Sequence, residues 1–248
     1  MSFENKTVLI TGGASGIGLL SGINFAKEGA AVVLCDINEA GLKDAEKEIR
    51  AISEKVLICR VDARNYDEVC AARDAAVKTF GSIDVLVCAA GGAEMRLLNR
   101  TEEFKDLPIE VLDYSIDLNL KGALYFDHAV LSQMAKQNSG VIINFGSITG
   151  EEGCSSNIGY SASKSALMNG VVKSLAKYGA KYNIRACCIA PGPVLTRAAM
   201  ANMKTLLGYA AETQEIVDMI LYLSSDKARS ITGSTYFIDG GRNAMGRA

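Results

Sequence analysis

The sequence predicts an α/β fold, a doubly wound parallel sheet covered by helices on both faces, and three observations carry that expectation. Apolar runs of strand length recur along the chain, segments of helical periodicity lie between them, and the two kinds alternate from end to end. The 248 residues are 49% apolar and 22% charged, enough apolar material for one large core. No low-complexity segment, internal repeat or proline-rich linker interrupts the pattern, so a single domain spanning 1–248 is expected.

The strand candidates are "TVLIT" at 7–11, "AVVLC" at 31–35, "KVLICRV" at 55–61, "DVLVCA" at 84–89, "GVIINF" at 140–145, "IRACCIA" at 184–190 and a last "STYFID" after the turn "SITG". Unbroken apolar runs rather than strict alternation suit strands buried on both faces, which a parallel sheet requires. Helical periodicity falls at 16–28, 39–52, 66–79, 109–137, 158–180 and 213–223, each placed to serve as a crossover between neighbouring strands.

The bulk numbers exclude several function classes. A net charge of −2 offers no surplus of cations for a phosphate backbone, which argues against nucleic acid as a partner. No stretch approaches the roughly 20 apolar residues of a membrane span, and the start "MSFENKTVLI" has no apolar signal-peptide core, so a soluble cytoplasmic protein is expected. The seven cysteines contain no CxxC pair and several sit in strand runs. They read as small buried hydrophobes in a reducing compartment, and no metal site is expected.

The first strand runs into "TGGASGIG" at 11–18 and then into a helix. Gly12, Gly16 and Gly18 allow a tight turn, close approach of a pyrophosphate and close helix–strand packing, while the helix N-terminus offers unpaired N–H donors. The second strand ends in "LCDIN", about twenty residues on, where the Asp36 carboxylate can accept from a ribose diol and repel a 2′-phosphate. No Arg or Lys occupies position 14, 15 or 37, so NAD(H) rather than NADP(H) is expected.

Tyr160 and Lys164 stand four apart in "GYSASKSAL", a spacing that puts both on one helix face. An ammonium beside a phenol favours phenolate and brings a pKa of about 10 toward the working range of a general acid or base. Together with Asn119 in "DLNLKGA", Ser147 in "NFGSITG" and the segment "IAPGPVLT" at 189–196, these motifs resemble the short-chain dehydrogenase/reductase family across nearly the whole chain. The resemblance implies a Rossmann fold, hydride transfer between NAD(H) and a secondary alcohol or ketone, and a homotetramer or dimer. It implies that Ser147 holds the substrate oxygen, Tyr160 moves the proton, and Asn119 supports a water-linked proton path through Lys164. By the same resemblance Ser15 and Ile17 join the glycine turn at the cofactor and Ile37 follows Asp36. Asp62 and Ala63 would lie at the adenine, and Cys88, Ala89 and Gly91 along the cofactor's middle. Tyr160 and Lys164 would meet the nicotinamide ribose, and Pro191, Gly192, Val194 and Thr196 its carboxamide end.

The chain departs from the family pattern in places. Residues 88–91 read "CAAG" where the family shows Asn-Asn-Ala-Gly, so side-chain hydrogen bonds between the central strands are expected to be missing. Glu94 and Arg96 lie in a long charged segment near the expected substrate mouth, and read as surface loop charge or as contacts to a charged or polyhydroxylated substrate. The lid after Thr196 is short, with Met200 and Met203 as apolar contacts to substrate, core or a second subunit. His128 reads as helix packing. The substrate expectation is a sugar, sugar acid or other polyol; a carrier-bound 3-oxoacyl ketoreductase and a non-catalytic NAD(H) sensor are the rival classes.

Overall fold

The computed structural model describes residues 1–196 and 198–245; Arg197 and the end of the expected domain, 246–248, lie outside the described residues. Seven strands form one sheet: β1 (Thr7–Thr11), β2 (Ala31–Asp36), β3 (Val56–Arg60), β4 (Val85–Cys88), β5 (Gly140–Phe145), β6 (Ile184–Pro191) and β7 (Thr235–Ile238). All pairings are parallel and the order is β3-β2-β1-β4-β5-β6-β7. The order reverses between β1 and β4, and that switch point opens a crevice beyond the strand ends.

Alternate residues of each strand enter two different cores. Val8, Ile10, Val32, Leu34, Val85 and Val87 pack with Phe25, Leu42, Ile49 and Ile216, while Leu9, Val33 and Leu86 pack with Val69, Phe126, Val130 and Met134. Burial of each large side chain contributes about 1.5–3 kcal/mol, so both faces hold their helices. On the first face lie α1 (Gly16–Lys27), α2 (Glu39–Arg50) and, near the end of the chain, a helix over Thr213–Ser224; α3 (Tyr66–Phe80) begins the second face. Local chemistry sets their ends: Asn38 and Asn65 accept from first-turn N–H groups of α2 and α3, and Gly81 closes α3 in the left-handed region at φ 86°.

The remaining helices are α4 (Glu94–Leu97), α5 (Ile109–Ile116), α6 (Gly122–Gln137), α7 (Thr149–Glu152), α8 (Ile158–Ala166), α9 (Val172–Gly179) and α10 (Thr213–Ser224). The sequence reads 109–137 and 158–180 as unbroken helices. In the structure each contains one π turn, Asp117–Lys121 between α5 and α6 and Leu167–Val171 between α8 and α9. The apolar period changes too little over one wide turn to reveal it, and such turns gather at functional positions.

The expected loss of side-chain bonds between the central strands is corrected by the structure. Cys88 and Asn144 are register partners on β4 and β5, and Asp127 of α6 lies over both. Its carboxyl accepts from Asn144 Nδ2 at 3.0 Å and faces Cys88 Sγ at 3.9 Å. Ala90 N donates to Thr11 Oγ1 at 2.9 Å, which ties the exit of β4 to β1. The link between these two strands comes from an acid on α6.

Burial pushes the Asp127 carboxyl up to about 7, against the opposing pull of its bonds from Asn144 and Cys88. Between roughly pH 4 and that value the folded protein holds a proton the unfolded chain has lost, so this group's contribution to stability falls as pH rises through the window. Asp127→Asn should therefore raise the unfolding free energy at pH 8 by about 1–3 kcal/mol, with the gain vanishing near pH 4. Urea unfolding at the two pH values checks this; an equal effect at both contradicts it.

Candidate active site

The glycine turn closes against the start of the loop that follows β4. At Gly12, with φ +69°, a Cβ would come within 2.9 Å of the Ala89 carbonyl carbon, and at Gly18 a Cβ would overlap the Gly12 carbonyl oxygen. Only glycine lets the turn, the next loop and α1 approach this closely. Ser15 makes no side-chain cap and the first turn of α1 carries no acidic residue, which leaves the N–H groups of this helix end directed at the crevice. That arrangement fits a pyrophosphate.

Asp36 ends β2 at the rim of the turn. Its Oδ2 accepts from Ala14 N at 3.1 Å and Oδ1 from Asn38 N at 2.9 Å, which fixes the carboxylate beside the half-exposed Ile37. The register partner of Asp36 is Arg60, whose guanidinium is committed to Glu68 at 3.2 Å. Asp62 is more heavily engaged than the sequence reading allows. Arg64 donates to it from Nε at 2.9 Å and from Nη2 at 2.6 Å, and holds its carboxyl below the ordinary range. Ala63 is buried against Gly122, a Cβ on which would lie 3.1 Å from the Ala63 Cβ.

The structure brings Lys164, Tyr160, Asn119 and the loop after β4 together beyond β4 and β5. Lys164 is 4% exposed; its Nζ donates to the Phe145 carbonyl at 2.8 Å and lies 5.5 Å from the centroid of the Tyr160 ring. Burial lowers the ammonium to about 8. Asn119 sits in the π turn and grips Gly92 on both sides: Oδ1 accepts from Gly92 N at 2.8 Å, and Nδ2 donates to Gly92 O at 3.0 Å. Gly91, at φ +142°, has no room for a side chain, since a Cβ would lie 2.5 Å from Asn119 Oδ1 and 3.7 Å from Lys164 Nζ. Ser147 follows β5; its Oγ accepts from Thr149 N at 3.2 Å and Thr149 Oγ1 at 3.0 Å.

The segment Pro191–Thr196 leaves β6 along the same edge. Gly192 N donates to Ile238 O, and Ile148 N to Pro191 O, both at 2.9 Å. Val194 turns its side chain into the core and pairs in a bridge with Ala211, while Thr196 is exposed. The lid therefore leaves and returns through one short bridge. Met200 and Met203 are half-buried within it. Arg242, which the sequence reading missed, ties the lid to α7 by donating to Lys204 O and to Glu152 Oε2, each at 3.0 Å.

Glu94 is not solvated loop charge. It is 1% exposed and accepts from the backbone of the helix that carries Tyr160, with Ser115 as a third donor. Arg96 remains exposed and lies over Gly92, where a Cβ would overlap its Nη2. Arg100 pairs with Glu102 and Lys105 with Glu103 and Asp106, but Arg96 has no ion-pair partner among the described residues. His128 is exposed and meets the Tyr66 hydroxyl at 2.5 Å, a partner the sequence does not indicate. Four of the seven cysteines are buried, all are free, and no group of metal-ligating side chains occurs among the described residues. No helix among them is long and apolar enough to cross a membrane.

Comparison with known proteins follows the same outline. Residues 6–206 match the short chain dehydrogenase family. The 3-oxoacyl-(acyl-carrier-protein) reductase FabG of Thermotoga maritima is 35% identical, with 97% of this chain and 99% of the relative covered. The cis-4-hydroxycyclohexanecarboxylate dehydrogenase of Sinomonas cyclohexanicum is 33% identical over 98% of this chain and 99% of its own. Levodione reductase superposes with a TM-score of 0.89 at 26% identity, covering 98% of this chain and all of the other.

Tyr160→Phe should abolish turnover, by about 10²–10⁴ in kcat, while leaving the fold and cofactor binding intact. Steady-state rates and fluorescence titration with NADH check the two halves separately. Retained turnover would remove Tyr160 from the chemistry.

Proposed function

Because this chain belongs to the short-chain dehydrogenase family, we propose that it interconverts a secondary alcohol and a ketone with NAD(H), using Asn119, Ser147, Tyr160 and Lys164. The observation that carries the reading is the buried Lys164 ammonium held 5.5 Å from the Tyr160 ring centroid. The side-chain-free cradle at Gly12 and Gly18, with the uncapped start of α1, fits a dinucleotide. Gly12, Ser15, Gly16, Ile17 and Gly18 would hold its pyrophosphate, Asp36 and Ile37 its adenosine ribose, and Asp62 and Ala63 its adenine. Cys88, Ala89 and Gly91 would line its middle, and Pro191, Gly192, Val194 and Thr196 its carboxamide end. When bound, the nicotinamide supplies the hydride donor or acceptor.

The proton work falls to the chain's own side chains. Ser147 Oγ, with Thr149 donating to it, is free to donate its own proton to the substrate oxygen and hold it in place. Tyr160 then gives or takes the proton at that oxygen, depending on direction. Lys164, anchored on the Phe145 carbonyl, keeps a positive charge beside the phenol and favours the phenolate state that a base requires. Asn119 fixes the Gly92 backbone beside them and supports the water-linked path toward Lys164.

Asp36 supports NAD(H): its carboxylate would face a 2′-phosphate, and Arg60, the adjacent cation, is taken by Glu68. Arg96 supports a sugar, sugar acid or other polyol, because an exposed guanidinium without an ion-pair partner among the described residues can donate to a carboxylate or to hydroxyl oxygens. The name of the Sinomonas relative, a hydroxycarboxylate dehydrogenase, agrees with the anionic choice. The Thermotoga relative supports a second reading, reduction of a carrier-bound 3-oxoacyl chain. The apolar groove between Tyr66, Leu124, Leu131 and Leu175 supports association into a dimer or tetramer, and the free cysteines support a cytoplasmic, reducing setting.

Initial rates over polyols, sugar acids and cyclic hydroxycarboxylates with NAD+ and NADP+ test the reading. NAD+ should lead by at least about tenfold in kcat/KM, and Asp36→Ser should narrow the gap. Arg96→Ala should raise KM for a carboxylated substrate by about tenfold with kcat unchanged, the mark of a contact equal in ground and transition states. A dominant NADPH-dependent reduction of acetoacetyl thioester would overturn the choice of cofactor and substrate together.

A further inference from the structure

Glu94 carries a charge into the interior three residues beyond Gly91. A buried carboxylate is costly unless its oxygens are paired, so the identity of its partners is informative. Oε1 accepts from Gly159 N at 3.0 Å, and Oε2 accepts from Tyr160 N at 3.1 Å and from Ser115 Oγ at 3.0 Å. Gly159 and Tyr160 lie in the first turn of α8, whose N-cap residue Asn157 makes no side-chain cap. Glu94 thus caps, from another helix, the turn on which Tyr160 stands, where a negative charge is also favoured by the helix dipole.

The third partner extends the link to Asn119. Asn119 Nδ2 donates to Ser115 O at 3.0 Å and lies 3.5 Å from Ser115 Oγ, the same hydroxyl that donates to Glu94. At Gly159 a Cβ would lie 2.9 Å from Ser115 Cβ and 3.4 Å from Glu94 Oε1, so α5 and α8 meet backbone to side chain with the carboxylate wedged at the contact. Asn119 in turn holds Gly92, two residues from Glu94. The result is a closed circuit through α4, α8, α5 and the π turn.

We infer that Glu94 is a positioning residue, which sets the height and tilt of the first turn of α8 against α5 so that Tyr160 and Asn119 stay in register with Lys164. The inference rests on the catalytic reading of Tyr160. Loss of the carboxylate is expected to leave the glycine turn and Asp36 untouched, and so to separate proton transfer from cofactor binding.

The test uses Glu94→Gln, Glu94→Asp and Ser115→Ala alongside Tyr160→Phe in the full chain. Each is measured for NADH affinity by fluorescence, Tm, and kcat and KM on the best alcohol from the panel. Glu94→Gln keeps the volume but turns an NH2 group on one of its donors; kcat should fall about 10- to 100-fold, with KM changed less than about threefold and NADH affinity within about twofold. Glu94→Asp, which keeps two acceptor oxygens on a shorter arm, should recover part of kcat. Ser115→Ala should lower kcat several-fold and serves as the deciding variant if the Glu94 replacements fail to fold. A fall in Tm with kcat within about twofold of the parent would show a merely structural cap and overturn the inference while Tyr160→Phe stays inactive. If Tyr160→Phe turns over, the catalytic reading fails and this inference fails with it.

Discussion

The ammonium of Lys164 donates to the Phe145 carbonyl at 2.8 Å in a position only 4% exposed, and the geometry of the site follows from holding that charge there. A cation removed from water is expensive, and this burial lowers the ammonium to about 8. The fold meets this cost by ending β5 at Phe145, whose carbonyl takes the ammonium at the point where α8 passes. Parallel strands make such an end possible, because their C-terminal ends all lie at one edge of the sheet and the crossover helices return past it. The same edge lies at the switch between β1 and β4, where the glycine turn opens.

Around that charge the chain gathers other deviations from regular structure. Two π turns interrupt the long helices; one presents Asn119, and the other follows α8 directly. Gly91 and Gly92 lie against Asn119, so the loop after β4 cannot drift from the helix that faces it. Glu94 then brings the first turn of α8 into the same circuit. Beneath it Asp127 spans β4 and β5, a position where stability near neutral pH is given up in exchange for a link between the central strands. Asn119, Glu94 and Asp127 are each polar, buried and paired, the condition under which a buried network specifies one arrangement.

Strand and helix order is written plainly in the sequence because apolar runs and periodic segments are local signals. Asp36 and the glycine turn are legible for the same reason, being short motifs between neighbouring elements. Glu94 is not. In "GGAEMRLLNR" an acid among charges reads as solvated, and its burial depends on Ser115, Gly159 and Tyr160, which are distant in sequence. Asp127 stands in a regular helical stretch that gives no sign of the strand pair Cys88 and Asn144 under it, both distant in sequence. His128 and Tyr66 meet between α3 and α6, and Arg64 engages Asp62 across one residue; neither pairing has a pattern that precedes folding.

If the environment of Lys164 makes the Tyr160 phenol an acid–base group at the pH of catalysis, the titration of that phenol is displaced by the buried ammonium beside it. The most direct measurement is an NMR titration of NADH-bound protein, isotope-labelled at the ζ carbon of its nine tyrosines, with Tyr160→Phe as the assignment control. The resonance missing from the variant should titrate at least about two pH units below the ordinary phenol value of about 10. Lys164→Met should move that titration back up. A Tyr160 resonance that titrates with the ordinary tyrosines, or that is indifferent to Lys164, would contradict it.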